Sequence, residues 1–254
     1  MTTNVLVDTD VLLYKAGFRA EQETLWPDDI VTLHMDLDEG LRCFESIANA
    51  WIAPFGKDLD EVFFYASDPT SRYFRHRVDP NYKAKRRRRS KPIGYQALRD
   101  KVSQKHQLLW KEGLEADDLL GIAATADEDA VIVSIDKDMN TVPGAFWNAG
   151  RLEMKRTSLE EANHFHLVQT ISGDPTDGYS GIKDLGPVGA RKVLKGKRGP
   201  VAQWEAVVRA FEKAEMTEID ALRNARLAYI LRDGDYVDGE VKLWTPTYVA
   251  AGVK

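Results

Sequence analysis

Val131-Ile132-Val133-Ser134-Ile135-Asp136-Lys137-Asp138 is an apolar, β-branched run closed by two acids. A short run of this kind reads as a buried strand of a parallel sheet. Its acids then fall just past the C-terminal end. The pattern recurs: Val5-Leu6-Val7 closes on Asp8 and Asp10, and Val62-Phe63-Phe64-Tyr65 leads to Asp68. Two more acidic clusters are Glu115-Ala116-Asp117-Asp118, opening an apolar helical stretch to Ala126, and Asp174-Pro175-Thr176-Asp177. Strands alternating with helices predict an α/β fold with a mostly parallel sheet. Ligands of such sheets bind beyond the C-terminal strand ends, where Asp8, Asp68 and Asp136 are expected.

Carboxylates gathered there repel one another unless cations hold them. Hard divalent cations take oxygen ligands, and Mg²⁺ keeps several of its waters. Two such ions about 4 Å apart clamp the attacking and leaving oxygens of a phosphoryl transfer. The spacing fits: Asp136 and Asp138 share a face of an extended strand. Glu115 with Asp118, and Asp174 with Asp177, are three apart and share a helical face. The same acids also serve as helix caps and solvated turns. Five clusters closing successive elements favour the metal reading, with Asp10 the member that could simply face solvent.

At 254 residues and 43% hydrophobic content, the chain can bury one large core or a core with an appendage. No apolar stretch reaches the roughly 18 residues of a membrane span. The first residues show no signal-peptide pattern, so the cytoplasm is expected. The single Cys43 leaves no internal disulfide and no Cys-based zinc site. A net charge of -5 argues against a polyanionic ligand only on average. Lys and Arg are segregated: Arg72, Arg75, Arg77, Lys83, Lys85, Arg86, Arg87, Arg88, Arg89 and Lys91 face only Asp79 in one segment.

That segment, Asp68 to Pro92, has little apolar periodicity and reads as an excursion from the core. It has the charge of a phosphate tracker, with Tyr73, Phe74 and Tyr82 available for base stacking. A solvated basic loop is the alternative. Elsewhere the spacing predicts helices over 11–26, 34–53 and 95–110, with Pro54-Phe55-Gly56 ending the second. Short strands are expected at 145–147 and 152–155, and helices after 158. Gly181 to Leu194 reads as a Gly-rich turn opening a basic helix. With Lys183, Gly186, Gly189, Arg191 and Lys192 it can receive phosphates on backbone N–H groups, or it is an ordinary helical corner. His164 and His166 read as structural, and the Trp residues as core.

The chain resembles the flap-endonuclease superfamily of 5′ nucleases, most closely the 5′–3′ exonucleases of short-tailed phages. The resemblance rests on Val78-Asp79-Pro80-Asn81-Tyr82-Lys83-Ala84, Leu114 to Asp118, Ser134 to Asp138 and Gly173 to Ile182, with Ala228–Pro246 adding to it. It implies a PIN-like core, a basic arch and a helix–three-turn–helix that grips duplex. It implies Mg²⁺-dependent hydrolysis leaving a 5′-phosphate, with Mn²⁺ substituting, two or more ions per site and K⁺ at the three-turn motif. By resemblance, Asp8, Asp68, Glu115, Asp117 and Asp118 serve one metal, and Asp136, Asp138, Asp174 and Asp177 the other. Lys83 and Arg86 match arch residues on the scissile phosphate. Tyr82, Lys85 and Arg87 stand in the same DNA-contacting stretch. Two positions depart from the family: Asp184 stands where the turn usually has Gly, and Val188 where a basic residue is common.

The expected organisation is a nuclease core over 1–158, with the arch at about 69–93. A helical duplex-binding region follows over 159–254, its three-turn motif at about 171–196. The expected activity is a metal-dependent 5′–3′ exonuclease with flap endonuclease capability. Its partners are duplex DNA with a 5′ end, flap or nick, and RNA/DNA hybrid in primer removal. A PIN-type ribonuclease and a non-catalytic nucleic-acid-binding protein are the rival readings.

Overall fold

The computed structural model describes residues 3–84 and 91–247. In chain order it forms β1 (Val5–Asp8), α1 (Thr9–Ala20), β2 (Glu21–Leu25), β3 (Val31–Met35), α2 (Leu37–Ile52) and β4 (Phe63–Tyr65). Then come α3 (Arg75–Val78), α4 (Tyr95–Lys105), β5 (Leu108–Leu109), α5 (Ala116–Ala126), β6 (Val131–Ser134), β7 (Gly144–Asn148) and β8 (Glu153–Thr157). The helical part follows as α6 (Leu159–Ser172), the pair β9 (Gly173–Asp174) and β10 (Tyr179–Ser180), α7 (Pro187–Leu194), α8 (Pro200–Lys213) and α9 (Glu218–Ala228). The strand pair β11 (Tyr236–Val237) and β12 (Glu240–Val241) comes last.

Every residue of β1 and of β6 is buried, which is why these strands read as unbroken apolar runs. The sheet order is β5-β4-β1-β6-β7-β8. All neighbours are parallel except the β7–β8 hairpin at one edge. β1 lies between β4 and β6, so the chain reverses its direction of winding across β1. The strand ends beside that switch carry Asp8, Asp68 and Asp136. This is the predicted α/β fold with a mostly parallel sheet. Phe44 and Phe64, both fully buried and 5.6 Å apart, anchor the α1–α2–α4 face. Burying one such ring is worth roughly 1.5–3 kcal/mol. Leu120, Ile132, Met139 and Phe146 fill the other face, and Ile171, Trp204 and Phe211 centre the helical part.

Four expectations fail in detail. The helix predicted to run to residue 26 stops at Ala20, and 21–25 pair with β3 instead. Pro27 cannot continue a helix, and Asp28 and Asp29 take left-handed φ of 65° and 58° that turn the chain into a hairpin. The helix predicted to reach Trp110 ends at Lys105, because Leu108 and Leu109 pair with β4 at the sheet edge. The 69–92 segment is not wholly an excursion: α3 packs inward, with Phe74, Arg75 and Tyr82 all buried. Of the Trp residues, Trp51 and Trp204 are core, whereas Trp26 and Trp110 are about half exposed.

One pair of glycines shapes the site. Gly173 has φ +68°, and a Cβ there would lie 2.0 Å from the Gly181 nitrogen. A Cβ on Gly181 would in turn lie 2.1 Å from the Ser172 carbonyl carbon. Only glycine permits this backbone crossing. It pinches the loop between them, which carries Asp174 and Asp177.

Candidate metal centre

Asp8 ends β1 and is buried; its Oδ2 accepts from Ser134 Oγ at 2.7 Å. The same Oγ accepts from the Asp136 N–H at 3.0 Å, so Ser134 links two of the acids. Burial first, then the charges of Asp10 and Asp136, push the Asp8 carboxyl up to about 7. Asp117, in the first turn of α5, is pushed well above the usual range by burial and by the charges of Asp136 and Asp8. Asp10 does not simply face solvent: it lines the same cavity, accepting from the Ser67 N–H at 3.3 Å. This cavity of about 380 Å³ is also lined by Asp68, Glu115, Asp136, Lys83 and Arg99.

A second acidic group adjoins it. Asp138 is pushed up to about 7 by burial and by Asp136, with Asp174 and Asp177 adding to the repulsion. Asp136 caps the short turn holding Asp138 and accepts its N–H at 2.9 Å. Asp174 Oδ1 accepts from the Thr176 and Asp177 N–H groups at 2.7 and 3.3 Å, which sets the loop. Asp136 therefore faces both groups rather than one.

Glu115 caps α5 and is heavily paired. Its Oε2 accepts from Arg75 Nη1 at 2.8 Å and the Tyr82 hydroxyl at 2.9 Å, and its Oε1 accepts from the Lys83 ammonium. Burial alone would raise it, but Lys83 and Arg75 bring it down to about 2. The Tyr82 oxygen also lies 3.2 Å from Asp177 Oδ2, so its one proton is shared between the two carboxylates and ties the groups together. Lys83 adopts φ 55° and donates its own N–H to the Asp177 carbonyl at 2.7 Å.

Two predicted metal ligands sit differently. Asp118 is fully buried away from the cavity, gripped by both terminal nitrogens of Arg75 at 2.7 and 2.8 Å and by the Leu231 N–H. Its bonds go to Arg75 and to the Glu115 and Leu231 N–H groups. Asp68 lines the cavity, yet its oxygens take the N–H and hydroxyl of Thr70 and the Gly113 N–H, each at 2.8 Å. Burial pushes its carboxyl up, and these bonds bring it below the usual range. The base-stacking expectation fails for Phe74 and Tyr82, whose rings are buried; Tyr73 is half-buried against His76. Lys85, Arg86 and Arg87 lie outside the described residues. Lys183 and Gly186 are exposed before α7, Arg191 and Lys192 are exposed in its last turn, and Gly189 packs on Leu185. His166 is structural as expected: it bonds the Ala225 carbonyl at 2.8 Å, and burial lowers it to about 4.

Sequence reasoning missed Arg75, Ser134 and Gln169. Arg75 counted only as one cation of a basic run, yet it also binds the carbonyls of Leu227 and Tyr229 at 3.0 and 2.6 Å. Its neighbour Phe74 is the available signal, since an Arg set in an apolar context is often buried and paired.

The donor set is all oxygen. Among the described residues, no three acids converge into a ready-made cage. Both facts fit a hard cation that keeps much of its water and takes only one or two carboxylates directly. The raised carboxyls are what such a cation would relieve.

An α/β sheet with an acid-lined cavity at its switch point, and Lys83, Lys91 and Arg99 on the same lining, suits a nucleic-acid hydrolase. Residues 3–146 match the family described as 5′-3′ exonuclease, N-terminal resolvase-like domain, and the chain belongs to that family of nucleases. It is 30% identical to the exodeoxyribonuclease of Enterobacteria phage T3, over 95% of this chain and 92% of that protein. The exonuclease of Escherichia phage T7 is likewise 30% identical, over 95% and 93%. Among solved structures, the bacteriophage T5 5′-exonuclease with bound zinc shares the fold at a TM-score of 0.60 and 14% identity, over 89% of this chain and 88% of that one. The T5 flap endonuclease in a product complex with DNA and metal ions aligns at 0.59 and 13%, over 88% of each chain.

Proposed function

We propose that the chain is a divalent-metal-dependent 5′–3′ exonuclease with structure-specific flap endonuclease activity. It also removes RNA from RNA/DNA hybrids during phage DNA replication and recombination, in the cytoplasm of a bacterial host. One observation carries the reading: carboxylates from four separate segments line one cavity, with Lys83 among them, and Asp136, Asp174 and Asp177 crowd Asp138 beside it. Asp8, Asp117 and Asp136 hold one cation, with Glu115 and Asp68 shaping that half. Asp136, Asp138, Asp174 and Asp177 hold the other.

Bound divalent ions, Mg²⁺ or Mn²⁺, supply a nucleophile at neutral pH and offset charge on phosphoryl oxygens. The chain's residues do the rest. Lys83, which pairs with Glu115 beside the cavity, would stabilise charge developing on the scissile phosphate. Arg86 assists it, and Lys85 and Arg87 track the strand. Tyr82 holds the two halves in register. The turn and helix α7, with Lys183, Gly186, Gly189, Arg191 and Lys192, hold duplex phosphates, and K⁺ occupies the turn before α7. On this reading 1–158 with its arch cuts and 159–254 grips.

The test is release of nucleotides from 5′-labelled blunt, nicked, flap and RNA/DNA substrates. Cleavage with Mg²⁺, absent in EDTA, supports the proposal. Binding without cleavage favours a non-catalytic binding protein, and cleavage of RNA alone a PIN-type ribonuclease.

A further inference from the structure

Gln169 lies on α6, outside every motif of the sequence, and its side chain enters the second acidic group. Its Nε2 donates to Asp138 Oδ1 at 2.6 Å. Its Oε1 is buried and has no partner among the described residues. With Asp138 ionised, as a bound cation would hold it, a flipped amide would set oxygen against a carboxylate oxygen. The helix beneath is held firmly. One residue on, the Thr170 hydroxyl bonds the His166 carbonyl at 3.0 Å, and Asn224 Nδ2 reaches the Thr170 carbonyl at 3.3 Å. His166 itself bonds α9 through the Ala225 carbonyl. A buried acceptor left open beside a cation site is suited to a water of that cation's shell.

We infer that Gln169 is a positioning residue of the second half-site. It fixes the Asp138 carboxylate through its donor and lends its amide oxygen to the water shell of the cation. The inference rests on reading Asp136, Asp138, Asp174 and Asp177 as that half-site. Outer-shell partners of this kind govern metal affinity by 10–100-fold.

The test counts Mn²⁺ bound to the full chain by the electron-paramagnetic-resonance signal of the free ion. Gln169→Met keeps the length of the side chain and removes both polar atoms. It is expected to raise the half-saturating Mn²⁺ of the weaker site about tenfold, leaving duplex affinity in EDTA and the metal-free Tm near those of the native chain. Gln169→Asn, one methylene too short to reach Asp138, is expected to show the same loss without the apolar end, and answers the question if the Met variant fails to fold. Variants that bind Mn²⁺ within twofold of the native chain overturn the role of Gln169 while the metal centre stands. A native chain that binds no Mn²⁺ overturns the metal centre itself.

Discussion

Lys83 is bound to Asp177 twice: its N–H donates to the Asp177 carbonyl at 2.7 Å, and its ammonium lies 3.8 Å from the Asp177 carboxylate. The arch stem and the Gly173–Gly181 loop are therefore docked on each other, though 94 residues separate the two contacts in sequence. Lys83→Ala is expected to lower the single-turnover cleavage rate at saturating DNA by roughly 10²-fold or more, with a smaller effect on folding. An unchanged single-turnover rate with weakened binding would remove Lys83 from the chemistry.

Arg75 is the structural counterpart of Lys83. It is buried and joins Glu115 and Asp118 to the end of α9. Removing one partner of a buried ion pair costs about 3–5 kcal/mol. Arg75→Ala is expected to lose stability of that order in urea unfolding. Arg75→Lys rescues little, because one ammonium cannot replace the fork. Stability within about 1 kcal/mol of native would show that the network adds little.

Crowding of the acids has a sign. The Asp138 carboxyl is raised to about 7 from 3.8, so between those values the folded chain holds a proton that the unfolded chain has lost. Its contribution is present below pH 4 and is lost as pH rises through 7. In EDTA, Asp138→Asn is expected to be more stable than the native chain at pH 8, by roughly 1–3 kcal/mol, and equal to it at pH 4. Divalent ions should narrow the pH 8 gap. Thermal melts check both; a variant less stable at pH 8 in EDTA contradicts the crowding.

His166 works the other way. Its folded value near 4 lies below the ordinary 6.5, so the folded chain resists protonation. Its contribution is full above pH 6.5 and is lost as pH falls toward 4, by up to about 3 kcal/mol. His166→Gln is expected to flatten the stability slope between pH 4 and 6.5 relative to the native chain. An unchanged slope in denaturant titrations would assign it elsewhere.

Asp184 takes φ 60° in the turn before α7, the left-handed conformation that Gly adopts without strain. Asp184→Gly is expected to stabilise the chain by up to about 1 kcal/mol and to tighten duplex binding by removing a carboxylate from the phosphate path. Looser binding by fluorescence anisotropy would mean that Asp184 itself contributes to the grip.

The strands and the acids at their ends were legible because burial on both faces leaves an unmistakable apolar run. The sequence could not show which acids are already spoken for. Asp118 and Asp117 are adjacent and look equivalent, yet one is consumed by Arg75 and the other faces Asp8 and Asp136. That distinction comes from α3 folding inward across 40 residues of chain, a contact that no local spacing encodes. The β2–β3 hairpin was hidden for a similar reason: a partner strand overrode a helical pattern. Tyr82 looked like a stacking platform because a basic context suggests exposure, whereas its hydroxyl had two carboxylates to join.

The central claim is that Asp136 and Asp177 hold cations for cleavage rather than hold the fold or the DNA. The direct measurement pairs cleavage of 5′-labelled duplex in Mg²⁺ with duplex affinity in EDTA, for Asp136→Ala and Asp177→Ala. Cleavage is expected to fall to background in both variants, with affinity within a few-fold of native. Full cleavage by Asp136→Ala would contradict it.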